Sequence, residues 1–309
     1  MQRRGIALLI TIAFITAIAA LIGIAGTIID RAFTETARQA TLVQSNIVLS
    51  NIQTLLNRNT KDINDSSTLD VLLSLPLFFG DPQAGIMTDL SFVSDASAVN
   101  VNLLVDKAAG TSGDAYAPLP LRAAYQTYFE RIFQFYRVSD GELLMAMIAD
   151  TIDSDLNERL PGTEITLQNP DFTQGQIFDL RQFGRILDAY KRQTMDFSVD
   201  AVPWQTLIGF RNESIDFNHI TADALHFIAP DIDDKTLVEL TTDRVDVYEQ
   251  FTGLPLSEED LKMLKEMNVE FYSPLITGKL HVMGDKQKVA YTFAYDLSTQ
   301  KASQFAIAY

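Results

Sequence analysis

The uncharged apolar run from Ile6 to Ile29 constrains this chain more than any other stretch. As a helix rising ~1.5 Å per residue it is long enough to cross a hydrocarbon core of ~30 Å. Thr11, Thr16, Gly23, Gly26 and Thr27 are its only interruptions, and Arg3, Arg4 and Gly5 stand directly before it. Helical character does not stop where a membrane would. From Asp30 to Arg58 there is no Pro or Gly, and Phe33, Ala37, Ala40, Val43, Ile47, Leu55 and Leu56 recur broadly at three- and four-residue steps. The spacing predicts one helix of about 50 residues, apolar all round over 6–29 and amphipathic over 30–58. The two arginines hold the N-terminus in the cytoplasm and put the body outside it.

Three kinds of segment share this pattern. A cleaved secretory signal finds a small-residue site at Ala17-Ile18-Ala19, but the apolar run continues well past it. An uncut signal anchor needs only the length and the flanking arginines. A prepilin-type leader explains the order of features as well: a short basic segment ending in glycine, then an apolar helix that begins at once and extends beyond the membrane.

The rest of the chain carries most of its charge as acid: the whole has 40 acidic against 24 basic residues, a net charge of −16, with no block of Lys or Arg after the first 30 residues. That surface repels phosphate backbones, so nucleic acid is not an expected partner, whereas cations and basic surfaces are. There is no cysteine, which excludes disulfides, thiolate metal sites and cysteine nucleophiles. His219, His226 and His281 are scattered, and no G-x-S-x-G, phosphate loop or H-E-x-x-H occurs, so no active site is expected.

Beyond a polar break at Asn59 to Ser67, strands are expected within Asp89 to Leu104, where Val99 to Leu104 alternates around Asn100 and Asn102. Lys107 to Leu121 reads as a loop. A mostly helical stretch follows, from Arg122 to about Met267. Tyr125, Tyr128, Phe129, Ile132, Phe133 and Tyr136 form a core stripe, and Ser139 with Glu142 is placed to cap the next helix. Asn218 or Thr221 caps a helix from Ala222 to Ile228, and Ser257 opens another. Strands return over Val269 to Val282, Lys288 to Tyr295 and Phe305 to Tyr309, with turns at Gly278 and Gly284-Asp285. A sheet begun before the helices and completed after them is the pattern of an insertion in a small α+β domain. The expected division is a β domain of residues 59–106 and 268–309, with a helical domain inserted over 107–267.

The strongest chemical signal follows the helix that ends at Ile152. Asp153, Asp155 and Asn157 put oxygen donors at alternate positions, and Glu164 lies eleven residues after Asp153, the offset of the bidentate glutamate of a calcium loop. Glu158 stands where an EF-hand needs glycine, and Pro161-Gly162 sets another backbone path, so this is no EF-hand. A hard-cation site and a solvated acidic helix end both fit.

The N-terminal pattern resembles that of type IV pilins and type II secretion pseudopilins. The resemblance implies cleavage between Gly5 and Ile6 by a prepilin peptidase, methylation of the new terminus at Ile6, and a long helix packed on a small antiparallel sheet. Most pilins have glutamate as the fifth mature residue; Ile10 stands there. That exception is similar to the K family, the largest minor pseudopilins. Asn100 and Asn102 match its first asparagine motif. Ile152-Asp153-Ser154-Asp155 with Gly162-Thr163-Glu164 matches its acidic run, with Thr151 in place of a common tryptophan. Ile215 to Ala222 matches its second asparagine motif, with Asp216 for the first asparagine. The resemblance implies a single-pass inner-membrane protein with its body in the periplasm, at the tip of the secretion pseudopilus with the I and J minor pseudopilins. There it would help assembly for protein transport across the outer membrane. It further implies calcium, with Asp153, Asp155, Asn157 and Glu164 as candidate ligands. A minor pilin of a type IV pilus and an anchored periplasmic binding or sensor protein are the alternatives.

Overall fold

The computed structural model describes residues 50–308 except 55, 59, 75, 82–85, 110–117 and 284–287. The run from Ile6 to Ile29, the leader junction at Gly5 and Ile6, Val43, Ile47 and Gly284-Asp285 lie outside the described residues. Among the described residues no helix is long and apolar enough to cross a membrane.

The chain enters as α1, helical over residues 50–54 and 56–58, followed by α2 (Ser66–Ser74). β1 (Leu77–Asp81) and β2 (Ile86–Ser94) come next, and the sheet is finished much later by β7 (Leu275–Met283), β8 (Lys288–Asp296) and β9 (Lys301–Ala308). All neighbours in the order β1-β2-β7-β8-β9 are antiparallel. Strand alternation decides which face is buried. Leu90 and Phe92 of β2, Ile276, Leu280 and Val282 of β7, and Val289, Tyr291, Phe293 and Tyr295 of β8 form one core with Ile52, Leu56 and Leu69 from the two helices. The Tyr295 hydroxyl reaches the Asn57 amide group at 2.8 Å, which ties α1 to the sheet.

Gly278 is not a turn. It lies in the middle of β7, opposite Phe92 on one side and Phe293 on the other. The Phe293 ring fills the space above it, so that a Cβ at this position would sit 2.4 Å from the ring's Cζ. Glycine is needed here because an aromatic ring crosses the strand, a use that punctuation by sequence alone does not distinguish from a turn. Gly278→Val should force Phe293 out of its rotamer and cost roughly 1–3 kcal/mol as overpacking. Thermal unfolding of that variant checks it; an unchanged melting temperature would mean the ring has room to move.

Between β2 and β7 the chain builds a separate helical core. Its elements are β3 (Val99–Asn100), α3 (Ala123–Tyr136), α4 (Gly141–Ile152), α5 (Ile165–Gln168), α6 (Leu180–Thr194), α7 (Trp204–Leu207), β4 (Ile208–Gly209), β5 (Ile215–Asp216), α8 (Ala222–Ile228), α9 (Asp234–Thr241), α10 (Glu258–Glu266) and β6 (Val269–Glu270). Tyr125, Tyr128, Phe129, Ile132 and Phe133 are buried on one face of α3, with Tyr136 partly covered at its end. Buried tyrosine hydroxyls must find acceptors: Tyr128 donates to the Leu207 carbonyl at 2.8 Å and Tyr125 to that of Met267 at 3.1 Å. Loss of solvent pushes the Tyr125 phenol up to about 12. Asp140, not Ser139, caps α4, accepting from the Leu143 N–H at 3.0 Å. The Ser139 N–H and hydroxyl both donate instead to Asp196, at 2.8 Å each. At α10 Ser257 and Asp260 form a reciprocal capping box.

The boundary also differs from the expected one at residue 107. Val99, Val101, Leu104 and Val105 belong to the helical core, not to the sheet. The two bodies meet at Asp95, whose carboxylate takes the Arg211 guanidinium at 2.6 Å while Arg211 also donates to Thr277 at 2.9 Å and Gln304 at 2.7 Å. A second link joins Asp70 of α2 to Arg244.

Candidate functional site

The two asparagine motifs hold backbone, not ligands. After Val99 and Asn100 the chain turns into a 3-10 helix (Val101–Leu103), because the Asn100 side chain accepts the Asn102 N–H at 3.0 Å and offers the backbone a local partner in place of a ladder. The Asn102 side chain then clamps two distant segments, donating to the Ile177 carbonyl at 2.8 Å and the Phe210 carbonyl at 3.0 Å and accepting from the Ile177 N–H at 2.8 Å. Asn218 does the same elsewhere: it donates to the carbonyls of Tyr248 at 2.9 Å and Phe271 at 2.7 Å and accepts the Tyr248 N–H at 2.7 Å. Thr221 is the cap of α8, accepting from the Ala224 N–H at 3.1 Å.

The acidic loop is where charge is concentrated out of water. Asp150 and Asp153 lie one turn apart at the end of α4, with side chains 0% and 1% exposed. The chain then runs out through Asp155 and returns at Gly162, whose φ of +84° suits glycine, to place Thr163 and Glu164 beside the helix end. Thr163 donates its hydroxyl to Asp150, and the Arg159 N–H reaches the same carboxylate at 3.0 Å. Gln174 is brought in by the Gly175 N–H bonding the Thr151 carbonyl at 2.9 Å. Its amide donates to the Asp155 carbonyl and, at 3.2 Å, to Glu164. Burial, with the neighbouring charges of Asp155 and Asp150, raises the Asp153 carboxyl to about 7. Burial likewise raises Glu164 to about 7, and Asp150 is raised for the same reason.

Of the four expected ligands, Asp153 and Glu164 are buried, whereas Asp155 and Asn157 are only partly covered. Asp155 is engaged by the Asn157 N–H at 2.7 Å, an Asx turn. Among the described residues no three Asp, Glu or His side chains stand close enough to hold an ion by themselves. Two of the loop's carboxylates are instead paired with Arg159, which nothing in the spacing of the loop singles out: its guanidinium takes Asp150 at 2.9 Å and Asp153 at 3.2 Å. The donor chemistry nevertheless suits a hard cation. Asp153 Oδ1 is buried with no hydrogen-bond partner, and the Asp155 carbonyl, the Glu164 carboxylate and the Gln174 amide lie together. Asp150, three positions before Asp153 on one helix, is legible in the sequence as a neighbour; Arg159 and Gln174 are not, since only the folded path of the loop brings them there.

No family model matches the chain, and no curated protein matches it by sequence. In fold it is similar to a chain of the crystal structure of the GspK-GspI-GspJ complex from the type 2 secretion system of enterotoxigenic Escherichia coli, with a TM-score of 0.60 and 12% sequence identity. The likeness covers 90% of this chain and 99% of that one. At that identity it is a likeness of architecture, and it takes in the sheet together with the body inserted into it.

Proposed function

We propose that the chain is a K-type minor pseudopilin of a type II secretion system, with a structural and assembly role and no catalytic one. The observation that carries this reading is the near full-length fold likeness; on this reading the helical body inserted between β2 and β7 is too bulky for another subunit to stack above it. An apolar Ile10 in place of the usual glutamate supports the same position, at the tip, where no subunit above needs that contact. The I and J minor pseudopilins are the expected partners, the inner membrane holds the segment 6–29, and the body lies in the periplasm with its α1 packed on the sheet in the pilin manner.

Intact mass of the membrane-extracted protein tests the reading. The expected species lacks residues 1–5 and carries one added methyl group on Ile6. An unprocessed terminus would leave the anchored binding or sensor protein, and a processed protein that fails to co-purify with the I and J components would leave the type IV pilus reading.

The acidic loop takes calcium on this reading, through Asp153, Asp155, Asn157 and Glu164, with Gln174 beside them. The ion's role there is to balance the carboxylates that Arg159 does not pair, Asp155 and Glu164, and so to order the junction between α4 and α5.

A further inference from the structure

We propose that Arg159 is the resident counter-cation of the buried Asp150 and Asp153 pair, standing where the loop would otherwise need a divalent ion, and that removing its charge turns the pair into a divalent-cation site. The Arg159 side chain is 13% exposed against 0% and 1% for the two carboxylates, so all three charges are largely withdrawn from water. Arg159 Nε lies 2.9 Å from Asp150 Oδ1, yet neither atom makes an aligned hydrogen bond, and Asp153 Oδ1 has no partner at all. The Asp150 contact is therefore held by charge rather than by directed bonding, whereas Arg159 Nη2 donates a hydrogen bond to Asp153 Oδ2 at 3.2 Å; one oxygen of each carboxylate, Asp150 Oδ1 and Asp153 Oδ1, keeps its lone pairs free of hydrogen bonds. That is a donor set a hard cation would accept. What keeps an ion from the space between Asp150 and Asp153 is that one positive charge is already built in there, on a side chain that cannot lose it.

The counter-cation role of Arg159 and calcium binding by the natural loop share only a probe, and either can fail without the other. The measurement is the melting temperature of the full-length chain in excess calcium and in chelator, for the natural protein, Arg159→Met and Arg159→Lys. In chelator Arg159→Met should melt lower by on the order of 10 °C, because a buried pair of like charges has lost its counter-charge. Calcium should restore much of that loss, a shift larger than in the natural protein, while Arg159→Lys, which keeps the charge, should respond as the natural protein does.

An equal calcium shift in Arg159→Met and the natural protein overturns the proposal, as does an enlarged shift in Arg159→Lys, which would trace the effect to packing. No shift in the natural protein with a large one in Arg159→Met supports it and removes calcium from the natural loop. Should Arg159→Met give no folded protein in either condition, Asp150→Asn/Asp153→Asn/Arg159→Met decides: folding recovered by removing all three charges supports the counter-cation role, and folding still lost overturns it.

Discussion

A chain carrying Gly5→Leu is expected to keep its first five residues and to be absent from assembled pseudopili, with export of the system's cargo lost rather than reduced. On the proposed reading, a peptidase that cuts at the membrane surface would have to bring the peptide bond after residue 5 into an active site while residues 6–29 stay in lipid, which would leave little room for a branched side chain at the cut. An uncut leader would keep Arg3 and Arg4 directly ahead of the apolar run. Charged side chains at a helix end can snorkel to the membrane surface, but they cannot follow the helix into a fibre whose interior is other apolar helices. The result is read from the intact mass of the extracted protein and from cargo in the medium. Normal maturation of Gly5→Leu protein would remove the main support for a prepilin-type leader, whatever the fold of the body.

The parts of this molecule that are legible in the sequence are those whose signal is local. The α3 stripe has helical spacing and ends in a core. Ser257 with Asp260 three residues on makes the reciprocal cap that such a pair allows. The alternation of Val289, Tyr291, Phe293 and Tyr295 gives a strand with one buried face. Local signals mislead where a distant residue decides. Gly278 looks like punctuation until Phe293 is known to lie across it. Val99 to Leu104 alternates like a strand, yet the Asn100 side chain takes the N–H that a ladder would need. Ser139 precedes a helix with Glu142 at the right offset, but Asp196 claims its hydroxyl and leaves Asp140 to cap. The acidic loop is visible in the sequence as a row of donors. Its electrostatic balance is not, because an arginine six positions after Asp153 turns back onto it only when Gly162 reverses the chain and Thr163 anchors Asp150.

That balance gives the loop a pH dependence with an unusual sign. Asp153 and Glu164 are carboxyls raised to about 7 by burial, against unfolded values near 4. Between roughly pH 4 and 7 the folded chain therefore binds more protons than the unfolded one, and stability falls as pH rises through that window. The contribution is fully present below the unfolded values and gone above the folded ones. A tenfold change in proton affinity between the folded and unfolded chain is worth ~1.4 kcal/mol, so the two groups together withdraw several kcal/mol, equivalent to a loss on the order of 10 °C in melting temperature. Asp196 works in the opposite direction and in another range: although burial pushes its carboxyl up, hydrogen bonds from Ser139 and Ser198 hold it below the usual values, so its contribution is lost only in stronger acid. Calcium should remove the decline. If the loop takes calcium as proposed, the ion would bind the ionised carboxylates and the folded state alone, and its stabilisation would grow with pH just where the proton's fades. The expected pair of curves is a melting temperature that falls from pH 4 to 7 in chelator and stays nearly level in millimolar calcium. The same fall in both would sink calcium as the ion of this loop, and no fall in either would mean that water reaches Asp153 and Glu164.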